Sequence, residues 1–121
     1  EETRTLQIAT YKKSSIKERE DMDKEMYRSI LHLDDRVAFA RLMDKTFNNV
    51  FTTLETRFPE LSYKELIWCC SFLLGLPNNE IALILDSQPM SLYKMKQRIA
   101  QKMNLASTRD LPQILSDLSD K

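Results

Sequence analysis

Residues that interrupt helices are scarce in this chain. Glycine occurs once, at Gly75, and proline occurs four times among 121 residues. Because glycine and proline disfavour a helix interior more strongly than any other residues, their scarcity permits an almost uninterrupted series of helices. Valine occurs only twice, and no run of residues alternates cleanly between apolar and polar, so strands are not expected. The sequence therefore predicts an all-α protein.

The charges of the chain balance. Eighteen Lys and Arg residues face eighteen Asp and Glu residues, which gives a formal net charge of zero. The balance holds within residues 1–58 and within residues 59–121 separately. Net charge therefore gives no general case for binding nucleic acid or a membrane, and any electrostatic site must be local.

Cysteine and histidine are too few for a metal site. Cys69 and Cys70 are adjacent within an apolar helical pattern, a placement that rarely forms a disulfide, and His32 is the one histidine. We expect two core thiols in a reducing compartment. No signal peptide or membrane-spanning run is apparent. The start at Glu1 rather than Met suggests a piece of a longer chain.

The N-terminal region predicts a weak segment followed by an amphipathic helix. Residues 1–15 have little periodicity and are interpreted as a frayed helix or an arm. Met22, Met26, Ile30 and Leu33 then recur every three or four residues and form one narrow apolar stripe. Two interpretations stay open: a solvated helix that packs on its neighbour through this stripe, or a coiled-coil or dimer segment.

The strongest amphipathic pattern follows, and it predicts one long helix. Asp34 or Asp35 is the expected N-cap, and Pro59 ends the helix because the residue before proline is pushed out of the α region. The apolar positions recur at steps of three and four: Phe39, Leu42, Met43, Phe47, Val50, Phe51, Leu54 and Phe58. With the preceding segment, this helix would form an N-terminal helical pair.

The next helix, over residues 62–74, has no polar face. Ser62 followed by Glu65 predicts a capping box at its start, and Gly75 suits the left-handed residue after its end. A short helix that is apolar all round must be buried on several sides. We expect it to lie between the Phe39–Phe58 helix and the helices that follow Gly75.

Three further helices are predicted after Gly75. Asn78 or Asn79 would cap a short helix through Leu85, residues 86–88 would form a turn, and Pro89 would start a helix running to about Met103. The apolar seam of that helix is Leu92, Met95, Ile99 and Met103. A last helix would start at Ser107 or Thr108 and carry Leu111, Ile114, Leu115 and Leu118.

The helix after Pro89 concentrates positive charge. It holds Lys94, Lys96, Arg98 and Lys102 and no acid. A short helix, a turn and a second helix with a cationic outer face form the arrangement called helix-turn-helix, in which the second helix enters the DNA major groove. The side away from the seam carries Lys94, Gln97, Arg98 and Gln101. The alternative is that this segment is an exposed lysine-rich helix of a soluble protein, with no role in DNA binding.

The segment from Leu61 to Leu105 resembles, without a gap, the DNA-binding domain of LuxR-type response regulators. The matching positions are Leu61-Ser62, Glu65, Gly75, Glu80-Ile81-Ala82, Leu85, Ser91-Leu92 and Lys102-Met103. The stretch "FPELSYKELIWCC" is similar to the C-terminal regulator domains of Bacteroidetes sensor and tetratricopeptide-type transcriptional regulators. The resemblance covers roughly residues 37–118. It implies a four-helix LuxR-like unit over residues 59–121, after a helical extension over residues 1–58 that dimerises or forms a coiled segment.

The resemblance also implies which residues contact DNA. The base-facing positions fall on Tyr93, Lys94 and Gln97, and the phosphate-facing positions fall on Ser91, Arg98, Lys102, Lys64 and Asn79. Glu65 and Glu80 are expected to be structural, through capping or an internal ion pair. The chain departs from the family at Ser87-Gln88, where the usual helix N-cap is lost and Ser87 is the candidate substitute, and at Met95, a position often polar in the family.

The functional hypotheses differ in class. The first is a transcription regulator that binds double-stranded DNA without cofactor, metal or small-molecule substrate. It would act in the bacterial cytoplasm, either free or as the cytoplasmic tail of a membrane-anchored regulator. The candidate partners are a second copy of the chain, an upstream sensor domain in a longer chain, and RNA polymerase. The alternative is a helical interaction or dimerisation module that no longer binds DNA. Region 4 of an extracytoplasmic sigma factor shares the motif, but residues 1–58 do not resemble a polymerase-binding region. No catalytic motif is present, so an enzyme is not expected.

Overall fold

The computed structural model of the chain describes residues 16–120, with side chains from residue 21 onward. The predicted frayed helix or arm over residues 1–15 lies outside the described residues. The described part is all-helical, as predicted. Its helices are α1 (Ile16–Leu31), α2 (Arg36–Thr46), α3 (Val50–Arg57), α4 (Tyr63–Leu73), α5 (Asn78–Ile84), α6 (Pro89–Lys102), a 3₁₀ helix (Thr108–Asp110) and α7 (Leu111–Ser119). In residues 16–120, no helix combines the length and apolar content needed to cross a bilayer.

Helix α1 packs on α5. Met26 and Ile30 of the predicted stripe are exposed, Ile30 by 60%, whereas Leu33, its last member, is buried just after the helix. The expectation that the stripe packs on a neighbouring helix is therefore wrong for Met26 and Ile30. The side of α1 that faces α5 instead carries Tyr27, whose hydroxyl donates a 2.7 Å hydrogen bond to Glu80.

The predicted helix from Phe39 to Phe58 is two helices, so that prediction is wrong. α2 ends at Thr46 and α3 begins at Val50, and between them Asn48 and Asn49 both have positive φ, 58° and 65°. Asparagine is among the few residues other than glycine that tolerate this left-handed region. Three helices, rather than a helical pair, therefore precede Pro59 in the described residues.

Side-chain hydrogen bonds cap the starts of both α2 and α3. Asp35 is the N-cap of α2, as one of the two predicted candidates, and its side chain accepts from the Ala38 backbone N–H. Asp44 of α2 accepts from the backbone N–H of Thr52 at 2.9 Å and from its hydroxyl. The start of α3 is thus capped from the preceding helix, because Asn49 makes no side-chain capping bond.

Helix α4 occupies the centre of the fold. The predicted capping box is confirmed, since the Ser62 hydroxyl accepts from the Glu65 N–H and the Glu65 carboxylate accepts from the Ser62 N–H. Gly75 has a φ of 81°, which confirms the predicted left-handed residue. α4 contacts α3, which precedes it, and α5 and α7, which follow Gly75. Its residues from Glu65 to Ser71 are all buried, as its apolar pattern predicts.

The helices after Gly75 follow the predicted boundaries with two corrections at their starts. Pro77, not Asn78 or Asn79, is the N-cap of α5, and no side chain caps that helix. Gln88 is the N-cap of α6, again without a side-chain bond, and the Ser87 hydroxyl donates to the Leu85 carbonyl instead. The predicted capping roles of Asn78, Asn79 and Ser87 are therefore wrong.

One hydrophobic core joins the helices before and after Pro59. It includes Phe39, Val50, Phe51 and Leu54 from the first part, and Leu66, Ile81, Ile99, Leu111 and Leu115 from the second. Both cysteines are free and buried in it, as predicted. Desolvation raises the pKa of each thiol well above its ordinary value. The thiols are therefore packing residues and not nucleophiles.

Candidate nucleic-acid interface

The outer face of α6 is an exposed polar surface opposite a buried seam. Leu92, Met95, Ile99 and Met103 are buried, as the helical spacing predicts. Tyr93, Lys94, Gln97 and Gln101 are exposed on the other side. The helix contains no aspartate or glutamate between Pro89 and Lys102. The three side chains predicted to face bases therefore lie together on one accessible helix face.

The cations at the C-terminal half of α6 are held by a buried carboxylate. Glu65 of α4 has a side chain only 3% exposed, and its Oε1 lies 2.6 Å from Lys102 Nζ. Its Oε2 lies 3.8 Å from Arg98 Nε. The Lys102 side chain is 30% exposed and that of Arg98 is 56% exposed. More than half of the Arg98 side chain therefore stays exposed, whereas the Lys102 ammonium group is bound to the buried Glu65 carboxylate.

The electrostatics of Glu65 favour its charged form. Burial by itself raises the pKa of this carboxyl through desolvation, but the hydrogen bond from Lys102, the backbone N–H of Ser62 and the charge of Lys102 together outweigh burial, so the pKa is lowered. A carboxylate kept ionised in this way fixes the α4–α6 contact. The expectation of a structural Glu65, through capping and an internal ion pair, is confirmed.

The two predicted phosphate contacts outside α6 lie in acidic surroundings. Asn79 lines a cleft of about 400 Å³ together with Asp23, Glu80 and Asp86. These carboxylates would repel a phosphate near Asn79.

Lys64 is exposed and lines a neighbouring cleft of about 460 Å³ that also contains Arg28 and two acids, Asp34 and Asp86. Among the charged residues that line these clefts, Lys64 has one further cation and two acids beside it, whereas Asn79 has only acids. Ser91, the remaining predicted phosphate contact, is exposed in the first turn of α6.

Polar contacts fix α1 beside the α5–α6 pair. Besides the Tyr27–Glu80 hydrogen bond, Lys24 Nζ lies 3.1 Å from Asp86 Oδ1 in the turn before α6. Glu80 is therefore structural, as expected, although through a tyrosine hydroxyl of α1 rather than a cap or an ion pair. The pairing with Lys24 offsets the charge of Asp86, the acid nearest along the chain to the start of α6.

Sequence reasoning missed one exposed residue on the face of α6. Met90 is 68% exposed and lies one turn before Tyr93 and Lys94. At 3.6 residues per turn, positions 90, 94, 97 and 101 share one helix face. This spacing could have identified Met90 as part of the exposed face. Methionine is more typical of a hydrophobic core, so its residue type indicates the opposite.

The chain was compared with protein families, curated proteins and solved structures. No protein-family model, no curated protein and no solved structure matches the chain.

Proposed function

We propose that α5, the turn at residues 85–88 and α6 form a LuxR-like helix-turn-helix, and that the chain binds double-stranded DNA to regulate transcription. One observation carries the proposal. α6 is a helix without acids that exposes Tyr93, Lys94 and Gln97 opposite a fully buried seam. A helix of this kind fits the major groove of B-DNA, and its outer side chains reach the base edges.

Each exposed side chain of α6 has a matching chemical group on DNA. Lys94 can donate to guanine O6 or N7, and the Gln97 amide can pair with adenine N6 and N7. The Tyr93 hydroxyl can donate to a phosphate. Ser91 and Arg98 flank these positions and suit the phosphate backbone. Asn79 fits a phosphate contact less well, because Asp23, Glu80 and Asp86 line the same cleft.

The number of available cations sets the expected salt dependence. Lys64, Lys94 and Arg98 are exposed and Lys96 is half-buried, whereas Lys102 is held by Glu65. If these four cations each neutralise one phosphate, log K falls against log salt with a slope of about −3.6 per subunit. The electrostatic part of binding is therefore modest, and base contacts must supply a large share of the affinity as well as the specificity.

The resemblance to LuxR-type regulators carries the remaining proposals about context. A bacterial cytoplasmic setting, an upstream sensor domain in a longer chain, and contact with RNA polymerase are all part of this proposed role. No cofactor or small-molecule substrate enters it. The proposal rests on the cationic helix face, and these further features each need their own test.

The experiment is selection and anisotropy with a pool of duplexes that have a random core. Lys94→Ala with Arg98→Ala removes two cations at i and i+4 on the outer face of α6. Arg41→Ala with Lys45→Ala is the matched control, because it removes two exposed cations at the same spacing on α2. Binding should fall at least tenfold at low salt in the first variant and stay near wild type in the second. Equal affinities for the two double variants would refute this surface.

A second candidate function is protein interaction through α1. Met26 and Ile30 are exposed at i and i+4 on that helix, and Val37 is exposed at the start of α2. Exposed apolar side chains in such a row are typical of helix–helix interfaces. A homodimer through α1 is compatible with DNA binding, since a dimer would present two copies of α6 to two half-sites. Sedimentation at several concentrations tests it, and a monomer at every concentration would count against it.

A further inference from the structure

Met90 is the apolar member of an otherwise polar helix face. It occupies the second position of α6, directly after Pro89, and its side chain is 68% exposed. Tyr93, Lys94, Gln97 and Gln101 follow it at steps of 3, 4, 7 and 11 residues and are also exposed. At 100° per residue, position 90 lies between Tyr93 and Lys94 around the helix axis. Met90 is therefore central to this face and not at its edge.

Among residues 21–120, the hydrophobic core does not include the Met90 side chain. The buried seam of α6 runs through Leu92, Met95 and Ile99 on the opposite side. A large apolar side chain at the centre of a polar binding face must meet an apolar group when the face is covered. Otherwise its burial would desolvate polar groups of the ligand without replacing their hydrogen bonds.

The DNA major groove offers one apolar group among its base edges. Guanine, cytosine and adenine present hydrogen-bond donors and acceptors there, and only thymine adds a methyl group, at C5. The first residues of a recognition helix are those that reach base edges. Along the axis, Met90 and Gln101 are about 16 Å apart, which corresponds to roughly five base pairs. The face can therefore assign Met90 and Gln97 to different base pairs.

We propose that Met90 is a specificity-determining residue that contacts the C5-methyl group of a thymine. This inference rests on the proposed function, because it requires that α6 bind in the major groove. Methionine suits the role because its thioether chain is flexible and polarisable and can follow the position of the methyl group. The bound sequence should then contain one thymine whose methyl group matters for affinity.

The test replaces thymine with deoxyuridine, which lacks only the C5-methyl group. Duplexes enriched from the random-core pool are resynthesised with one thymine at a time replaced, and their affinities are measured by anisotropy. Wild-type protein should lose about fourfold in affinity at one position, which corresponds to one buried methyl group. Met90→Ala should bind thymine and deoxyuridine equally at that position. Lys45→Ala, which truncates an exposed side chain on α2 outside either proposed binding surface, should keep the wild-type preference.

The outcomes separate this inference from the proposed function. If wild-type protein binds an enriched duplex but no thymine replacement lowers its affinity, the Met90 assignment is wrong and DNA binding stands. The same conclusion follows if Met90→Ala keeps the full preference for thymine. If no duplex binds even at low salt, the proposed function fails and the assignment fails with it. Thermal unfolding of each variant checks that the fold is intact.

Discussion

Replacing Glu65 by glutamine tests how much the α4–α6 contact depends on one buried charge. Glutamine keeps the shape of glutamate, and its amide oxygen can still accept from the Ser62 N–H, which donates to Glu65 Oε1 at 2.8 Å in the wild type. The capping box is therefore preserved. The substitution removes the negative charge 2.6 Å from Lys102 Nζ and 3.8 Å from Arg98 Nε.

The expected loss of stability follows from the exposure of each partner. A charge-assisted hydrogen bond contributes about 1.5–3 kcal/mol, and the Glu65–Lys102 pair belongs to this class because the carboxylate is buried. The pair with Arg98 is longer and well solvated, so it adds less than about 1 kcal/mol. Glu65→Gln should therefore lower the free energy of unfolding by about 2 kcal/mol and Tm by roughly 8 °C.

Urea unfolding between pH 7 and pH 3 measures this contribution and its origin. Because the folded-state pKa of Glu65 is lowered, its contribution is complete above the unfolded-state pKa of about 4.3 and disappears as pH falls through the folded-state value. The stability gap between wild type and Glu65→Gln should be constant from pH 6 to 8 and should close at lower pH. In the Glu55→Gln control, the same charge change breaks an exposed 2.8 Å pair with Arg36 and should cost under about 1 kcal/mol.

Two results would refute this account of Glu65. One is equal stability of Glu65→Gln and Glu55→Gln at pH 7. The other is a gap as wide at pH 3 as at pH 7, because a loss that does not titrate would come from packing and not from charge. Under the proposed function, the same substitution releases Lys102 toward phosphate, whereas Arg98 is already available in the wild type. The salt slope of DNA binding should then steepen by about 0.9, for the one newly engaged cation.

Three other perturbations test the fold. Ser71→Ala should raise the free energy of unfolding by about 1 kcal/mol in a urea titration, because the Ser71 hydroxyl is buried without a hydrogen-bond partner. Asn49→Ala should lower the free energy of unfolding by about 1 kcal/mol, whereas Asn49→Gly should stay near wild type. The reason is that alanine disfavours the left-handed conformation at φ 65° and glycine does not, so equal values for the two variants would contradict it. Cys69 and Cys70 should react with a thiol reagent only at the rate of global unfolding, as followed by absorbance at pH 8, and prompt labelling would show that the core opens locally.

Local sequence signals predicted the helix ends that involve neighbouring residues. The Ser62–Glu65 box and the left-handed Gly75 were predictable because each depends on a spacing within one helical turn. The break at Asn48 and Asn49 was not predicted, because the apolar steps of three and four continue through Phe47 and Val50 without a gap. Two consecutive asparagines were the signal, since this residue type tolerates positive φ.

The candidate interface was only partly predictable, because helical spacing gives the orientation of a helix but not its contacts with residues distant in the sequence. Helical spacing was sufficient to place Lys94 and Gln97 on the exposed face of α6, because the apolar seam fixes the orientation of the helix. The pairing of Lys102 with Glu65 joins residues 37 positions apart, and no local pattern encodes that contact. The docking of α1 was missed because polar bonds, such as that from Tyr27, determine which side faces α5.

The shared core has a consequence for any attempt to study the DNA-binding helix in isolation. α3 packs against both α4 and α7, and its Phe51 and Leu54 are buried in the core that these helices share. A fragment cut between residues 58 and 59 would leave these faces open to water, and each such side chain is worth about 1.5–3 kcal/mol when buried. A substitution in α3 can therefore weaken binding by α6 without lying near DNA, simply by reducing the fraction of molecules that are folded.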